Sequence, residues 1–282
     1  MTTAANPFLD DAPQESLAQV ERLWSVTTLI RNGLPTGEGL IRWGLNLVAA
    51  ASLDKRATID AMVKDEGREA TIKWLAGERD RAGHKARTRG TDIHAIAEKR
   101  SLGLDPGPVP AELVPYVEQL ERWERKWKPK PLMAEAPVYN VEHRYAGTLD
   151  GIWEVGGRRV VIDYKTTDKG PDAYSRPPYP EVALQLCAYR RAQWVGVLSE
   201  QRYASGKRYY LFDPTVAHEP MPEVDGALCV VISPYDCFAV AVRTGEEVWR
   251  AFLAVQAAAA WELGGNQEAF GAVLDALEPE GE

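Results

Sequence analysis

From residue 135 to residue 166 the chain changes to strand-forming stretches rich in β-branched and aromatic residues, interrupted by a Gly156-Gly157 pair where a tight hairpin needs positive φ. The pattern predicts a meander of three antiparallel strands over 135–141, 145–155 and 159–166. Side chains two apart on a strand share a face, so Asp163 and Lys165 look out together while Val160, Ile162 and Tyr164 take the opposite side. Asp150, in the run Gly147-Thr148-Leu149-Asp150, brings a second carboxylate on the neighbouring strand.

Before the meander, the stretches 36–52, 57–77 and 90–101 are rich in Ala, Leu and charged residues, which predicts a helical lobe. Between 110 and 128, Leu113, Tyr116, Val117, Leu120, Trp123 and Trp127 recur at three- and four-residue spacing, one face of an amphipathic helix that Lys128-Pro129-Lys130-Pro131 ends. After it, 181–195 reads as a helix, 227–233 and 238–242 as a hairpin over Pro234-Tyr235-Asp236, and Ala-rich helices close the chain. The expected class is α/β, a mixed central sheet flanked by helices with an N-terminal helical lobe. The expected division is an acidic, flexible 1–20, a lobe over 21–130, a core over 131–265 and a C-terminal helix with an acidic tail over 266–282.

The chain has 282 residues and a formal charge of −8, but the acidity sits at its ends. Ten of the 41 acids lie in 1–21 and 262–282, where there is no Lys or Arg, leaving 33 basic against 31 acidic residues in between. Cys187, Cys229 and Cys237 form no CxxC pair and have no close His, which argues against a structural zinc site. No apolar run approaches the roughly 20 residues of a membrane span, and the start lacks a signal-peptide pattern, so a cytoplasmic protein with reduced thiols is expected.

Two carboxylates and an ammonium on adjacent strands suit metal-dependent attack on a phosphodiester, which needs ionised carboxylates to hold a divalent cation where substrate can reach it. Spacing alone is equally compatible with solvated charges on an open strand face. Arg89-Gly90-Thr91-Asp92-Ile93-His94 reads as the start of a helix capped by Thr91, with His94 one turn from Glu98. An imidazole beside oxygen ligands suits manganese better than magnesium. Glu181, Gln185 and Tyr189 fall along one helix face. Basic and aromatic residues interleave from Arg122 to Lys130, where Trp123 and Trp127 fit the apolar face, and from Arg202 to Tyr210, where Lys207, Arg208 and Tyr209 read as a surface loop that stacks bases and holds phosphates. Arg81, Lys85, Arg87 and Arg89, just before His94, could escort a DNA strand into the site, with a solvated loop as the equal alternative.

Together, Gly90 to His94, Glu135, Gly147 to Asp150, Ile162 to Thr166 and Gln185 to Tyr189 resemble, in order and spacing, the RecB-type branch of the PD-(D/E)XK nucleases, including its phage-encoded and CRISPR-associated exonucleases. A weaker likeness to phage members runs through Ser25 to Thr28 and Trp43. The resemblance implies a deoxyribonuclease, an exonuclease on DNA ends or single strands, with a structure-specific endonuclease or a non-catalytic DNA-binding subunit as alternatives. It implies His94, Asp150, Asp163 and the Tyr164 carbonyl as ligands of Mg²⁺ or Mn²⁺, Lys165 as the catalytic lysine, and Gln185 and Tyr189 as a supporting helix that contacts DNA. Glu135 corresponds to a less consistently catalytic acid and ranks below the others. Some relatives hold an iron–sulfur cluster with four cysteines, one of them before the nuclease core. With three cysteines, none before Cys187, this chain is not expected to build one. The expected partners are DNA and an oligomer or a recombination or replication protein, with no membrane; a phage-encoded protein would work in the host cytoplasm.

Overall fold

A computed structural model describes residues 21–169, 178–202 and 208–265. The chain enters through β1 (Glu21–Ser25) and α1 (Val26–Gly33), then forms α2 (Glu38–Asp54), α3 (Arg56–Asp65), α4 (Arg68–Ala76), α5 (Glu78–Ser101) and α6 (Val114–Trp127). The meander follows as β2 (Lys130–Asn140), β3 (Tyr145–Val155) and β4 (Arg158–Thr166). Beyond it come α7 (Pro180–Arg190), β5 (Trp194–Val195), β6 (Ser199–Arg202), β7 (Arg208–Phe212), β8 (Glu219–Pro220), β9 (Gly226–Ile232), β10 (Cys237–Val242), α8 (Glu246–Ala260) and a π-helical turn, Trp261–Gly265. The protein is α/β, with a mixed ten-stranded sheet and an N-terminal helical region.

Alternation along the strands divides the core between the two sheet faces. Val161, Cys229 and Val231 pack with α1, α7 and α8 residues such as Leu29, Leu186 and Phe252. Val160, Ile162, Tyr164, Val230 and Ile232 pack with Ile93, Ile96, Leu120 and Trp123 from α5 and α6. Gly33 shows how closely α1 meets α8, since a Cβ there would lie 2.0 Å from the Val255 carbonyl oxygen.

Strand β3 organises the sheet. Strand β2 pairs antiparallel along one edge of it from Tyr145 to Glu154, so β4 and β1 must share the other edge. The antiparallel ladder to β4 ends at Gly151↔Ile162, and the parallel ladder to β1 covers Tyr145 and Ala146. Between them, Gly147 to Asp150 have no strand partner on that edge, and the sheet forks.

Several expectations are corrected. The helix expected over 57–77 is broken into α3 and α4 at Gly67, whose φ of 89° no helix accommodates. The helix expected to open near Thr91 starts at Glu78, so Thr91 is interior and caps nothing, and Arg81 to Arg89 lie on the helix rather than a loop. The expected 181–195 helix stops at Arg190, and Trp194–Val195 pairs with β2. Strand β1, read as part of the helical lobe, is a sheet member. The expected closing segment 266–282 lies outside the described residues, and no described helix is long and apolar enough to cross a membrane.

Candidate metal centre

The fork sets the geometry of the acidic residues. Just beyond the last β3–β4 rung, the Tyr164 amide donates to Asp150 Oδ2 at 2.6 Å, so a side chain takes the place of the missing strand. In an extended strand a residue's N–H and C=O point to the same edge, so the Tyr164 carbonyl faces the fork as well. Asp163 is buried on the α7 face, with Lys165 beside it as the period-two pattern requires; Lys165 Nζ donates to Asp163 Oδ1 at 2.7 Å and lies 2.6 Å from Oδ2. Oδ2 nonetheless accepts no well-aligned hydrogen bond, leaving a buried carboxylate oxygen able to take a further cationic partner.

Helix α5 reaches the fork from the opposite sheet face and puts His94 Nδ1 3.5 Å from Asp150 Oδ2. Glu135 completes a cluster in which one potential ligand atom each from His94, Glu135 and Asp150 lie within 4.8 Å of one another. Glu135 holds a φ of 43°, in the left-handed region a non-glycine residue rarely enters, next to the irregularity in β2 between Pro131 and Met133. A non-glycine residue in that region is strained, and here the strain falls on a partly exposed carboxylate among other ionisable groups.

The electrostatics describe a site short of positive charge. Burial, reinforced by Asp150 and Glu98, pushes the Glu135 carboxyl up to about 7. Burial raises Asp163 to about 6 even with Lys165 alongside. For His94 and Lys165 burial works against the charged form, but Asp150 holds the imidazole above its ordinary value and Asp163 holds the ammonium above its own. Among the described residues His94, Glu135 and Asp150 could hold a metal ion, and one imidazole with two carboxylates is a donor set that a hard divalent cation accepting one nitrogen can use. Cys187, Cys229 and Cys237 are free and buried in the two cores.

Helix α7 closes the fork. Gln185 Nε2 donates to the Tyr189 hydroxyl at 3.3 Å, and the buried Tyr189 ring lies where a Cβ on Gly147 would stand, 2.7 Å from Cε1. The glycine of the Gly-Thr-Leu-Asp run is there because that ring needs the space. Thus His94, Glu135 and Asp150 meet at the fork, Asp163 and Lys165 pair on β4 beside it, and Tyr189, bonded to Gln185, packs against Gly147. Of the expected DNA-contacting residues, Arg89 lies on α5 near the end of β4, with Nη1 3.6 Å from Asp168 Oδ2. Arg87 is exposed on α5, Tyr209 sits in β7 with the Arg22 guanidinium 4.7 Å from its ring centre, and Arg208 starts β7, so these residues form a strand rather than a loop; Lys207 lies outside the described residues. Trp123 is core as read, but Trp127, at the last turn of α6, is exposed. Glu98, noticed only for its spacing from His94, acts electrostatically on Glu135. No family model matches this chain, and no curated protein matches it.

Proposed function

We propose that this protein is a metal-dependent deoxyribonuclease with a PD-(D/E)XK core of the RecB type, working as an exonuclease on DNA ends or single strands. The observation that carries the reading is the convergence of His94, Glu135 and Asp150 within 4.8 Å at a fork that also presents Asp163 and Lys165. These residues come from α5, β2, β3 and β4, and a merely solvated strand face gives no reason for them to meet.

His94, Asp150, Asp163 and the Tyr164 carbonyl would hold the cation, with Glu135 adjoining. A bound Mg²⁺ or Mn²⁺ supplies a Lewis acid for the phosphate oxygens and lowers the pKa of water. Lys165, kept charged and aimed by Asp163, orients the attacking water and offsets negative charge developing on the phosphate. The Tyr189 ring, bonded within α7 to Gln185 and packed on Gly147, sets α7 against the fork as a wall of the site.

The test is incubation of labelled linear single-stranded, linear double-stranded and closed circular DNA with Mg²⁺ or Mn²⁺, beside Asp163→Ala and Lys165→Ala. Cleavage of linear DNA that both variants lose supports the reading, and cleavage of circles moves it to an endonuclease. Binding without metal-dependent cleavage of any substrate sinks it in favour of a DNA-binding subunit.

A further inference from the structure

We propose that Arg89 is a phosphate-binding residue that grips a phosphate of the substrate strand next to the one being attacked, a proposal that rests on the nuclease reading. Arg89 lies on α5 five residues before His94, about 7.5 Å along the axis and about 140° around it, so its side chain leaves the helix on a different side. Its neighbour Gly90 runs close to the end of β4, since a Cβ there would meet Thr166 Oγ1 at 3.4 Å. The guanidinium therefore stands at the carboxyl ends of the parallel strands β4 and β9, where ligands of α/β sheets commonly bind.

Its surroundings do not satisfy it. The side chain is 19% exposed and its guanidinium carbon lies 5.5 Å from the centre of the buried Tyr116 ring. Nε is buried and bonds to nothing. Among the described residues its one ionic contact runs from Nη1 to Asp168 Oδ2 at 3.6 Å, too long for a hydrogen bond, and the Asp168 side chain is 70% exposed. An arginine kept for structure spends its five donors on carboxylates or carbonyls; this one holds a rigid fork on an aromatic platform with a solvent-exposed counter-ion beside it. Phosphate matches that fork bidentately, and Asp168 stands in for it until substrate arrives. The phosphate belongs either to a strand terminus or to an internal linkage.

The experiment measures binding and steady-state cleavage of one oligonucleotide sequence carrying a 5′-phosphate, a 3′-phosphate or hydroxyl ends, by full-length wild type, Arg89→Ala, Arg89→Lys and Asp168→Asn. Arg89→Ala is expected to raise Kd and KM about 10- to 100-fold with kcat changed far less. Arg89→Lys should recover only part of the loss, and Asp168→Asn should tighten binding a few-fold at low salt by releasing Arg89. A loss confined to one phosphorylated end identifies a terminal phosphate, and an equal loss on all three an internal one; either supports the proposal. Kd and KM of Arg89→Ala within twofold of wild type overturn it. So does a kcat effect without a binding effect. If the wild type cleaves nothing, the nuclease reading falls, while the Arg89 effect on Kd still decides the phosphate site.

Discussion

The sheet around the fork and the helices α2 to α4 both carry regularly spaced apolar residues, yet they dispose of them differently. Leu149, Ile152, Ile162 and Leu186 are fully buried, whereas Leu45 and Leu53 on α2 are 66% and 78% exposed. What α2 and α4 bury is small, namely Gly44, Ala51 and Thr71, and α3 buries nothing. Cooperative stability therefore resides in the sheet and the helices on its faces, and the lobe adds little of its own. The same contrast locates the chemistry. The candidate metal ligands His94, Glu135 and Asp150 meet at the well-packed part, and α5 joins the two, with Arg79 against Gly44 near one end and His94 at the fork nearer the other.

Four measurements can break or sharpen this contrast. The largest effect belongs to the fork. Asp150→Ala and Asp163→Ala should each lower single-turnover, metal-dependent cleavage by about 10³-fold or more while circular dichroism stays native, whereas Leu53→Ala should leave the rate unchanged. Next is the core: Phe252→Ala, fully buried between α8 and the sheet, should cost about 3–5 kcal/mol in denaturant melts, and Gly33→Ala about 2–3 kcal/mol, because its methyl has nowhere to go against Val255.

Third is pH. Glu135 has a folded pKa near 7 against an ordinary 4.5, and Asp163 one near 6 against 3.8. Raised folded values mean that the stability these groups contribute is complete below their unfolded pKa and is lost as pH rises through the folded one. His94, also raised, acts in the same direction. Metal-free protein should therefore melt on the order of 5 °C lower at pH 8 than at pH 5, a difference that shrinks in Glu135→Gln and that added Mn²⁺ offsets most at pH 8. A Tm independent of pH would remove the charge-starved site from the comparison. The smallest effect belongs to the lobe, where Leu45→Ala and Val63→Ala should change stability by under about 0.5 kcal/mol. A larger loss would show that the lobe is held by more than small-residue contacts.

The sequence is most legible where side chains alternate against two cores. The β3–β4 hairpin, the Asp163–Lys165 pairing and helix α6 follow directly from period and turn residues. What cannot be read locally depends on partners distant in the chain. Thr91 reads as a cap from its local sequence, yet α5 already runs through it from Glu78. The strand character of Tyr209 comes from β1, far upstream. Glu135 lies in a strand-forming stretch that gives no sign of its left-handed backbone, and its place in the site came only from the family resemblance and the fold. The fork itself has no local signature, because it arises from two strands competing for one edge of a third.

That competition has a consequence for assembly. The edge of β3 is completed by β4 through a two-glycine turn, by β1 from the far N-terminal side, and β4 is held in turn by β9 from beyond α7. A nascent or partly unfolded chain can close the hairpin early but cannot present His94, Asp150 and Asp163 together until the slow, sequence-distant pairings are made. A cation bridging those three residues would therefore report completion of the whole fold, and its affinity would be a more sensitive gauge of folding than any single core contact.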